Sequence, residues 1–316
     1  MHWLIVGAGG IGSTYGTRLA AIGETVTFTA RGAHLAAMQE RGLRVEHPTF
    51  TFEGPVDAID DAALLGGRDP DAFDAILVTL KTHALLGWLA GASAWLARGT
   101  APVVSLQNGV DAEAWIAEVV GGARTFGGLA VEVGAHVEAP GHVVARGDAR
   151  VVLGPWPDGR RGEADPYVAQ DLADVLERAG VPATATQRIE TELWRKWMIN
   201  VALNPLSALL DLETRALVDD PAYAPVVEGI MREVHAVGVA SGVALGEDDV
   251  ASRMALMRGF EAIRTSMQVD RAQGRPLELE AMSGGLLARA AAQGVPAPTT
   301  ALVDALLRRA PDVVVA

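Results

Sequence analysis

Residues His2 to Gly12 read HWLIVGAGGIG, and this stretch decides the fold. A short run of strand character leads directly into Gly7, Gly9 and Gly12, spaced G-x-G-x-x-G, and a helical pattern runs from Ile11 to Ala21. In that setting the three glycines serve different ends: Gly7 allows a tight turn, Gly9 the close approach of a pyrophosphate, and Gly12 close helix-to-strand packing. Free N–H groups at the helix terminus then face the diphosphate, so the loop Gly7, Ala8, Gly9, Gly10, Ile11, Gly12 is a candidate dinucleotide cradle.

The next strand, ETVTFTA from Glu24 to Ala30, bears on which dinucleotide is bound. An NAD site usually ends this strand with an acid that accepts hydrogen bonds from the ribose 2′ hydroxyl. Here Ala30 and Arg31 stand in that place. A guanidinium pairs with a 2′-phosphate and no carboxylate repels it, so the sequence favours NADP(H) over NAD(H).

Beyond the glycine loop the first half alternates strand-like runs (His2 to Val6, Thr25 to Thr29, Ala75 to Leu80, Pro102 to Leu106) with helical patterns (Ala33 to Arg41, His83 to Ala97, Ala112 to Val120). That alternation marks βαβ units around a parallel sheet. Val- and Gly-rich residues from Thr125 to Leu153 are expected to finish the sheet, a helix is expected over Ala164 to Ala179, and a last strand near Val181 to Thr186. From there the pattern is helical. The fold class expected is an α/β Rossmann-type dinucleotide-binding domain over 1–186 followed by an all-α C-terminal domain over 187–316.

Composition narrows the function classes. The 316-residue chain has a formal net charge of −13 and no run of Lys or Arg, which argues against nucleic acid and anionic membrane as partners. It has no cysteine, so disulfides, thiolate metal sites and a cysteine nucleophile are excluded. The seven histidines show no metal-ligand spacing, no G-x-S-x-G elbow is present, and no metal is expected. The N-terminus reads as a strand and not a leader, and the apolar tract from Ala84 to Ala97 is too short and glycine-interrupted to span a bilayer; a soluble cytoplasmic protein is expected.

The stretch LWRKWMINVALNPLSALL, Leu193 to Leu210, raises a different question. On a helix, Lys196, Asn200 and Asn204 fall at i, i+4 and i+8 in one row, beside the apolar face of Leu193, Trp197 and Val201. Polar groups in such a helix need partners, because an unpaired buried donor or acceptor costs roughly 1–3 kcal/mol. Either other side chains or a polar ligand can fill that role.

The motifs GAGGIG, ARG (Ala30 to Gly32), VTLK (Val78 to Lys81), QNG (Gln107 to Gly109), PGHV (Pro140 to Val143), ELWRKWMINVALNPLSALL and SMQVDRAQGRPLELEAMSGGLLARAAAQGVPAPTT occur in this order. Together they make the chain resemble the ketopantoate reductase (2-dehydropantoate 2-reductase) family over nearly its whole length. The resemblance implies NADPH-dependent reduction of a small 2-oxo acid, 2-dehydropantoate to pantoate. It implies Lys196 as the general acid and Glu278 as a second catalytic residue that also contacts the cofactor. Lys81 and Asn108 are then cofactor contacts, and Asn108, Lys196, Asn200, Asn204 and Ser266 substrate contacts. After Asn-Pro-Leu the family often carries an Asn-Gly pair near the substrate, where this chain has Thr214 and Arg215. Other readings are a paralogous reductase of another 2-oxo acid, an opine-type enzyme reducing an imine, or a non-catalytic NADP sensor, for which the Lys-Asn-Asn row would have no use. The apolar segments around Leu286 and Leu302 fit either core or a homodimer interface.

Overall fold

In a computed structural model, which describes residues 1–158, 164–259, 261–311 and 313–314, the opening stretch forms β1 (His2–Val6) and α1 (Gly10–Ala21). Trp3 and Ile5 enter one core while Leu4 and Val6 enter another, so β1 is buried on both faces. Two-sided burial is the mark of a central parallel strand. There follow β2 (Thr25–Thr29), α2 (Gly32–Arg41), β3 (Leu43–His47), β4 (Phe50–Gly54), β5 (Asp57–Ile59), α3 (Asp61–Gly67), β6 (Ala75–Val78), α4 (Thr82–Leu96), β7 (Val103–Ser105) and α5 (Ala112–Val120). Then come β8 (Thr125–Val131), β9 (Gly134–Ala139), β10 (His142–Arg146), β11 (Arg150–Pro155), α6 (Pro166–Arg178) and β12 (Ala183–Ala185).

One sheet has the order β12-β11-β8-β7-β6-β1-β2-β5. From β5 to β8 it is parallel and follows the 3-2-1-4-5-6 order of a doubly wound dinucleotide-binding fold, whose ligand crevice opens at the carboxyl ends of the strands. Side chains of α1 and α6 fill the core on one face, and those of α4 and α5 fill the other.

The segment from Thr125 to Leu153 does not all finish this sheet. β8 and β11 join it, but β9 and β10 form a second sheet of order β4-β3-β10-β9, with β10 parallel to β3 across roughly a hundred residues of sequence. The reason is one-sided burial. In β10 Val143 and Ala145 are buried while the residues between them are half-buried, and β9 is largely exposed. Such strands suit a two-layer arrangement on α1 and not the middle of a sheet covered on both faces.

The chain divides into two compact units: Met1–Gln107 with Asp111–Glu190, and Asn108–Val110 with Thr191–Ala316. The second is helical: α7 (Ile189–Leu210, which begins two residues earlier), α8 (Thr214–Asp219), α9 (Ala224–Ala240), α10 (Asp249–Gly259), α11 (Ser266–Ala272), a π-helical turn at Glu280–Gly284, α12 (Gly285–Gln293) and α13 (Pro298–Arg308). Leu286 belongs to its core, whereas Leu302 and Leu306 are exposed on α13. Among the described residues no helix is long and apolar enough to cross a membrane.

One buried carboxylate joins two of these helices. Glu233 on α9 accepts hydrogen bonds from the backbone N–H of Thr299 (2.7 Å), the N–H of Thr300 (2.8 Å) and the Thr300 hydroxyl (2.6 Å), so it caps the first turn of α13 from outside that helix. Charge-assisted bonds at a helix N-terminus are the strong kind. Glu233→Ala is expected to lower the unfolding free energy by about 2–4 kcal/mol, read as a lower urea midpoint.

Candidate active site

The glycine loop is held from three sides. Gly7 N–H donates to Thr29 Oγ1 (3.0 Å), Ala8 N–H to the Thr29 carbonyl (2.7 Å), and Thr79 Oγ1 to the Gly7 carbonyl (2.6 Å). Ser13 Oγ donates to the Ala8 carbonyl (3.1 Å). Nothing in the motif's spacing announces Thr29, Thr79 or Ser13, yet they fix its shape. Gly7 has φ +97°, a region that favours glycine. At Gly12 a Cβ would stand 2.3 Å from the Gly7 carbonyl oxygen, so close helix-to-strand approach is what demands that glycine. Gly10 has another reason: a Cβ there would meet the Ala135 carbonyl of β9 at 2.2 Å.

Gly9 differs from its neighbours. Nothing lies within 4 Å of where its Cβ would be, so protein packing does not require a glycine there. Gly9 also caps α1 without a side-chain bond, and the first turn carries no acid. An open position over uncapped amide groups fits a diphosphate held at a helix N-terminus. Arg31 is exposed as the N-cap residue of α2, at the carboxyl end of β2. Beside it His34 accepts from the Gly141 N–H through Nδ1 (3.0 Å), and burial lowers its pKa, so the ring is neutral with its buried Nε2 bearing the proton. Lys81 is exposed as the N-cap residue of α4, just past β6.

In the helical unit α7 presents the row read from the sequence. Leu193, Trp197 and Val201 are buried, Lys196 and Asn200 are half-buried, and Asn204 is buried. Arg195 leaves this row: it pairs with Glu192 (2.7 Å) and Asp249 (2.7 Å), so Glu192 already has a cation one position before Lys196. Desolvation lowers the Lys196 pKa to about 8. An ammonium that loosely held is suited to proton transfer near neutrality.

Three sequence-distant segments meet at Trp197, the residue after Lys196. Trp197 Nε1 donates to the Ala281 carbonyl (2.8 Å), and the same oxygen lies 3.4 Å from where a Gly109 Cβ would be. Ala281 sits in the π-helical turn, next to Met282 with the non-helical φ −117°, ψ −106°. Glu278 is half-buried between buried Leu277 and Leu279, just ahead of that turn and not on a helix N-terminus. The Asn108–Gly109 turn, the Lys196 turn of α7 and the Glu278 segment are thus gathered around one carbonyl.

Ser266 is exposed at the first position of α11, and Thr265 before it accepts from the Gln268 N–H (3.2 Å). Thr214 is buried, and its hydroxyl accepts from the Ile263 N–H (3.2 Å) while its own N–H donates to the Ile263 carbonyl (3.0 Å). This side chain is therefore engaged in holding the segment that leads to Ser266. Trp194 and Trp197 pack edge to face with centroids 5.0 Å apart, under the Arg289 guanidinium, as structural anchors.

A doubly wound sheet with a glycine loop, joined to a helical unit that carries a desolvated lysine, defines an oxidoreductase of the dinucleotide-binding class. The chain belongs to the ketopantoate reductase family: the family described as Ketopantoate reductase PanE/ApbA matches residues 3–158, and its C-terminal part, Ketopantoate reductase PanE/ApbA C terminal, matches residues 188–310. It is similar to the 2-dehydropantoate 2-reductase of Mesorhizobium japonicum, 31% identical with 98% of this chain and 97% of that one covered. The 2-dehydropantoate 2-reductase of Pyrococcus horikoshii is 29% identical, with 98% and 97% covered. Among solved structures, the 2-dehydropantoate 2-reductase from Methylococcus capsulatus superposes with a TM-score of 0.82 at 29% identity, covering 98% of this chain and 96% of that one. A D-mandelate dehydrogenase with NADH and anilino(oxo)acetate superposes with a TM-score of 0.86 at 23% identity, covering 98% and 97%, a likeness of fold.

Proposed function

We propose that the chain is an NADPH-dependent reductase that converts 2-dehydropantoate to pantoate, with Lys196 as the general acid. The observation that carries the reading is Lys196 itself: a desolvated ammonium in a polar row on an otherwise apolar helix, next in sequence to Trp197, whose indole meets the turn that follows Glu278 and that Gly109 approaches. A bound dihydronicotinamide supplies the hydride that reaches the C2 carbonyl carbon. Lys196 stabilises the negative charge growing on the carbonyl oxygen and then gives that oxygen its proton. Asn200 and Asn204 continue the row and orient the substrate through hydrogen bonds, Ser266 binds its carboxylate end, and Asn108 serves both substrate and cofactor. Glu278 contacts the cofactor and acts as the second catalytic residue.

On the cofactor side, Gly7, Ala8, Gly9, Gly10, Ile11 and Gly12 would hold the diphosphate, Lys81 would contact the cofactor, and Arg31 would pair with the 2′-phosphate. The open space over Gly9 and the uncapped terminus of α1 support this assignment. A cytoplasmic setting suits an enzyme that draws on NADPH. Residues 1–186 form the cofactor-binding domain in this reading, and 187–316 the substrate-binding domain.

A second reading keeps the chemistry and changes the acid. Where the family often carries Asn-Gly, this chain has Thr214, whose hydroxyl is committed to Ile263. A related 2-oxo acid without the polar reach of 2-dehydropantoate would then be the better substrate. NADPH oxidation with 2-dehydropantoate beside 2-oxoisovalerate and pyruvate separates the two.

Lys196→Met is expected to lower kcat by about 10²–10⁴-fold while NADPH affinity, followed by tryptophan quenching, stays within about threefold. In the wild type the rate should fall as pH rises through about 8, because the acid form of Lys196 is lost there; survival of the rate at pH 9.5 would count against Lys196 as the proton donor. Arg31→Ala should weaken NADPH by roughly ten- to a hundredfold and leave NADH unchanged, measured by parallel titrations.

A further inference from the structure

Three buried polar side chains lie at the carboxyl end of β7. Ser105 is fully buried, Gln107 is 6% exposed, and Glu113, in the first turn of α5, is 1% exposed. Ser105 Oγ donates to Gln107 Oε1 at 2.6 Å. Gln107 Nε2 is buried with no partner, and neither Glu113 carboxyl oxygen closes a hydrogen bond. An ionised carboxylate left in this state would be among the most costly groups in the molecule.

The neighbours relieve that charge only in part. Desolvation raises the Glu113 pKa from 4.5 to about 7; its own backbone N–H and the Ser105 hydroxyl oppose the rise, while Asp111 and Glu190 add to it. The helices packed on α5 bring His83 at the start of α4 and Arg124 in the turn before β8, while β7 and β8 carry no titratable residue and α5 itself adds Glu118. Arg124 is engaged elsewhere, donating to the carbonyls of Ala101 (3.0 Å) and Leu96 (2.8 Å).

We infer that Glu113 is a positioning residue that works in its protonated form: its carboxyl O–H faces Ser105 Oγ, Ser105 donates to Gln107 Oε1, and this one-way chain holds the Gln107 amide and the Asn108 turn that follows it. The direction of the chain depends on the proton. When Glu113 gives it up to solvent, its carboxylate draws the Ser105 hydroxyl hydrogen to itself, Gln107 Oε1 loses its donor, and the amide is free to turn. Gln107 precedes Asn108 at the edge of the sheet where a dinucleotide-binding fold holds its ligand, so loss of the proton loosens the site without touching Lys196. The catalytic half of this inference rests on the reductase reading above; the proton on Glu113 does not.

The test compares the full-length wild type with Glu113→Gln, Glu113→Leu and Ser105→Ala. Glutamine keeps a donor toward Ser105 and cannot ionise; leucine keeps the bulk and removes the donor. The first readout is melting of the ligand-free chain at pH 5 and pH 8.5. An acid whose folded pKa is raised carries no penalty below its unfolded value, accumulates one between the two values, and carries it in full above the folded one. Glu113→Gln should therefore melt several degrees above wild type at pH 8.5 and lose most of that advantage at pH 5. The second readout is NADPH affinity by tryptophan quenching and kcat with 2-dehydropantoate from pH 5.5 to 8.5. Wild type should lose several-fold in both across pH 7, Glu113→Gln should stay level there, and Glu113→Leu and Ser105→Ala should be low at every pH, with the Lys196 limb near pH 8 kept by all.

Equal melting differences at the two pH values would overturn the protonated carboxyl. A Glu113→Gln profile that descends in step with wild type, or a Ser105→Ala protein that behaves as wild type, would overturn the chain to Gln107. If wild type turns over no 2-dehydropantoate at any pH, the reductase reading fails alone, and the melting and NADPH titrations still decide the fate of Glu113 and Gln107. Should Glu113→Leu fail to fold, Ser105→Ala carries the same comparison.

Discussion

The approach of α1 to β1 is the constraint on which the first unit depends. At Gly12 a Cβ would lie 2.3 Å from the Gly7 carbonyl, and at Gly16 it would lie 2.3 Å from Phe28 Cε1 on β2. Only with both side chains absent can the helix settle against the sheet. Once it does, its N-terminal amides are aimed by covalent geometry, Thr29 holds the loop's N–H groups, and Thr79 and Ser13 hold its carbonyls. The other side of α1 becomes a surface on which β9 and β10 pack, close enough at Ala135 to require Gly10 as well. One tight contact thus sets the N-terminus of α1 and creates the seat for the second sheet.

In both units the chemistry is set by withdrawing a charge from water, and the two groups move toward each other on the pH scale. Burial lowers Lys196 to about 8 and raises Glu113 to about 7. The physical cause is the same, because a low-dielectric surround disfavours whichever form is charged. Below pH 7 the lysine is charged and the acid is neutral, the forms that the proposed proton donor and the proposed Gln107 chain each call for.

Much of this was legible in the sequence because it is written in local periodicity. β1 and β2 stand where the strand runs of His2 to Val6 and Thr25 to Thr29 place them, and α5 covers Ala112 to Val120 as its pattern says. The polar row of α7 follows from a spacing of four, and its half-buried Lys196 and Asn200 lie beside the buried Leu193, Trp197 and Val201. What could not be read depends on distant partners. β3 and β4 alternate apolar and polar residues and pair with each other, but their place in a second sheet depends on β10 reaching β3. Glu113 looks like an ordinary first-turn acid, the residue that a helix dipole favours at a solvated surface, and only the packing of α4 and β8 around α5 removes it from water. The π-helical turn is invisible for the same reason: AMSGG carries no signal that Ala281 will turn its carbonyl to Trp197.

Thr214 shows why a departure from a family pattern has to be weighed against what the side chain does. From the sequence alone, a polar residue near the substrate invites the reading that it touches the substrate. Here its hydroxyl and its N–H are both engaged by Ile263, and two residues past Ile263 Thr265 accepts from Gln268. Gln268 in turn donates to Asp211 (2.9 Å) and accepts from Ser207 (3.1 Å), so the start of α11 is fastened to the end of α7 by a continuous set of polar contacts. Ser266 sits inside that frame without being part of it. In the proposed reading, selectivity for the acid is set by where the frame holds Ser266, since the group at position 214 acts through the backbone it holds.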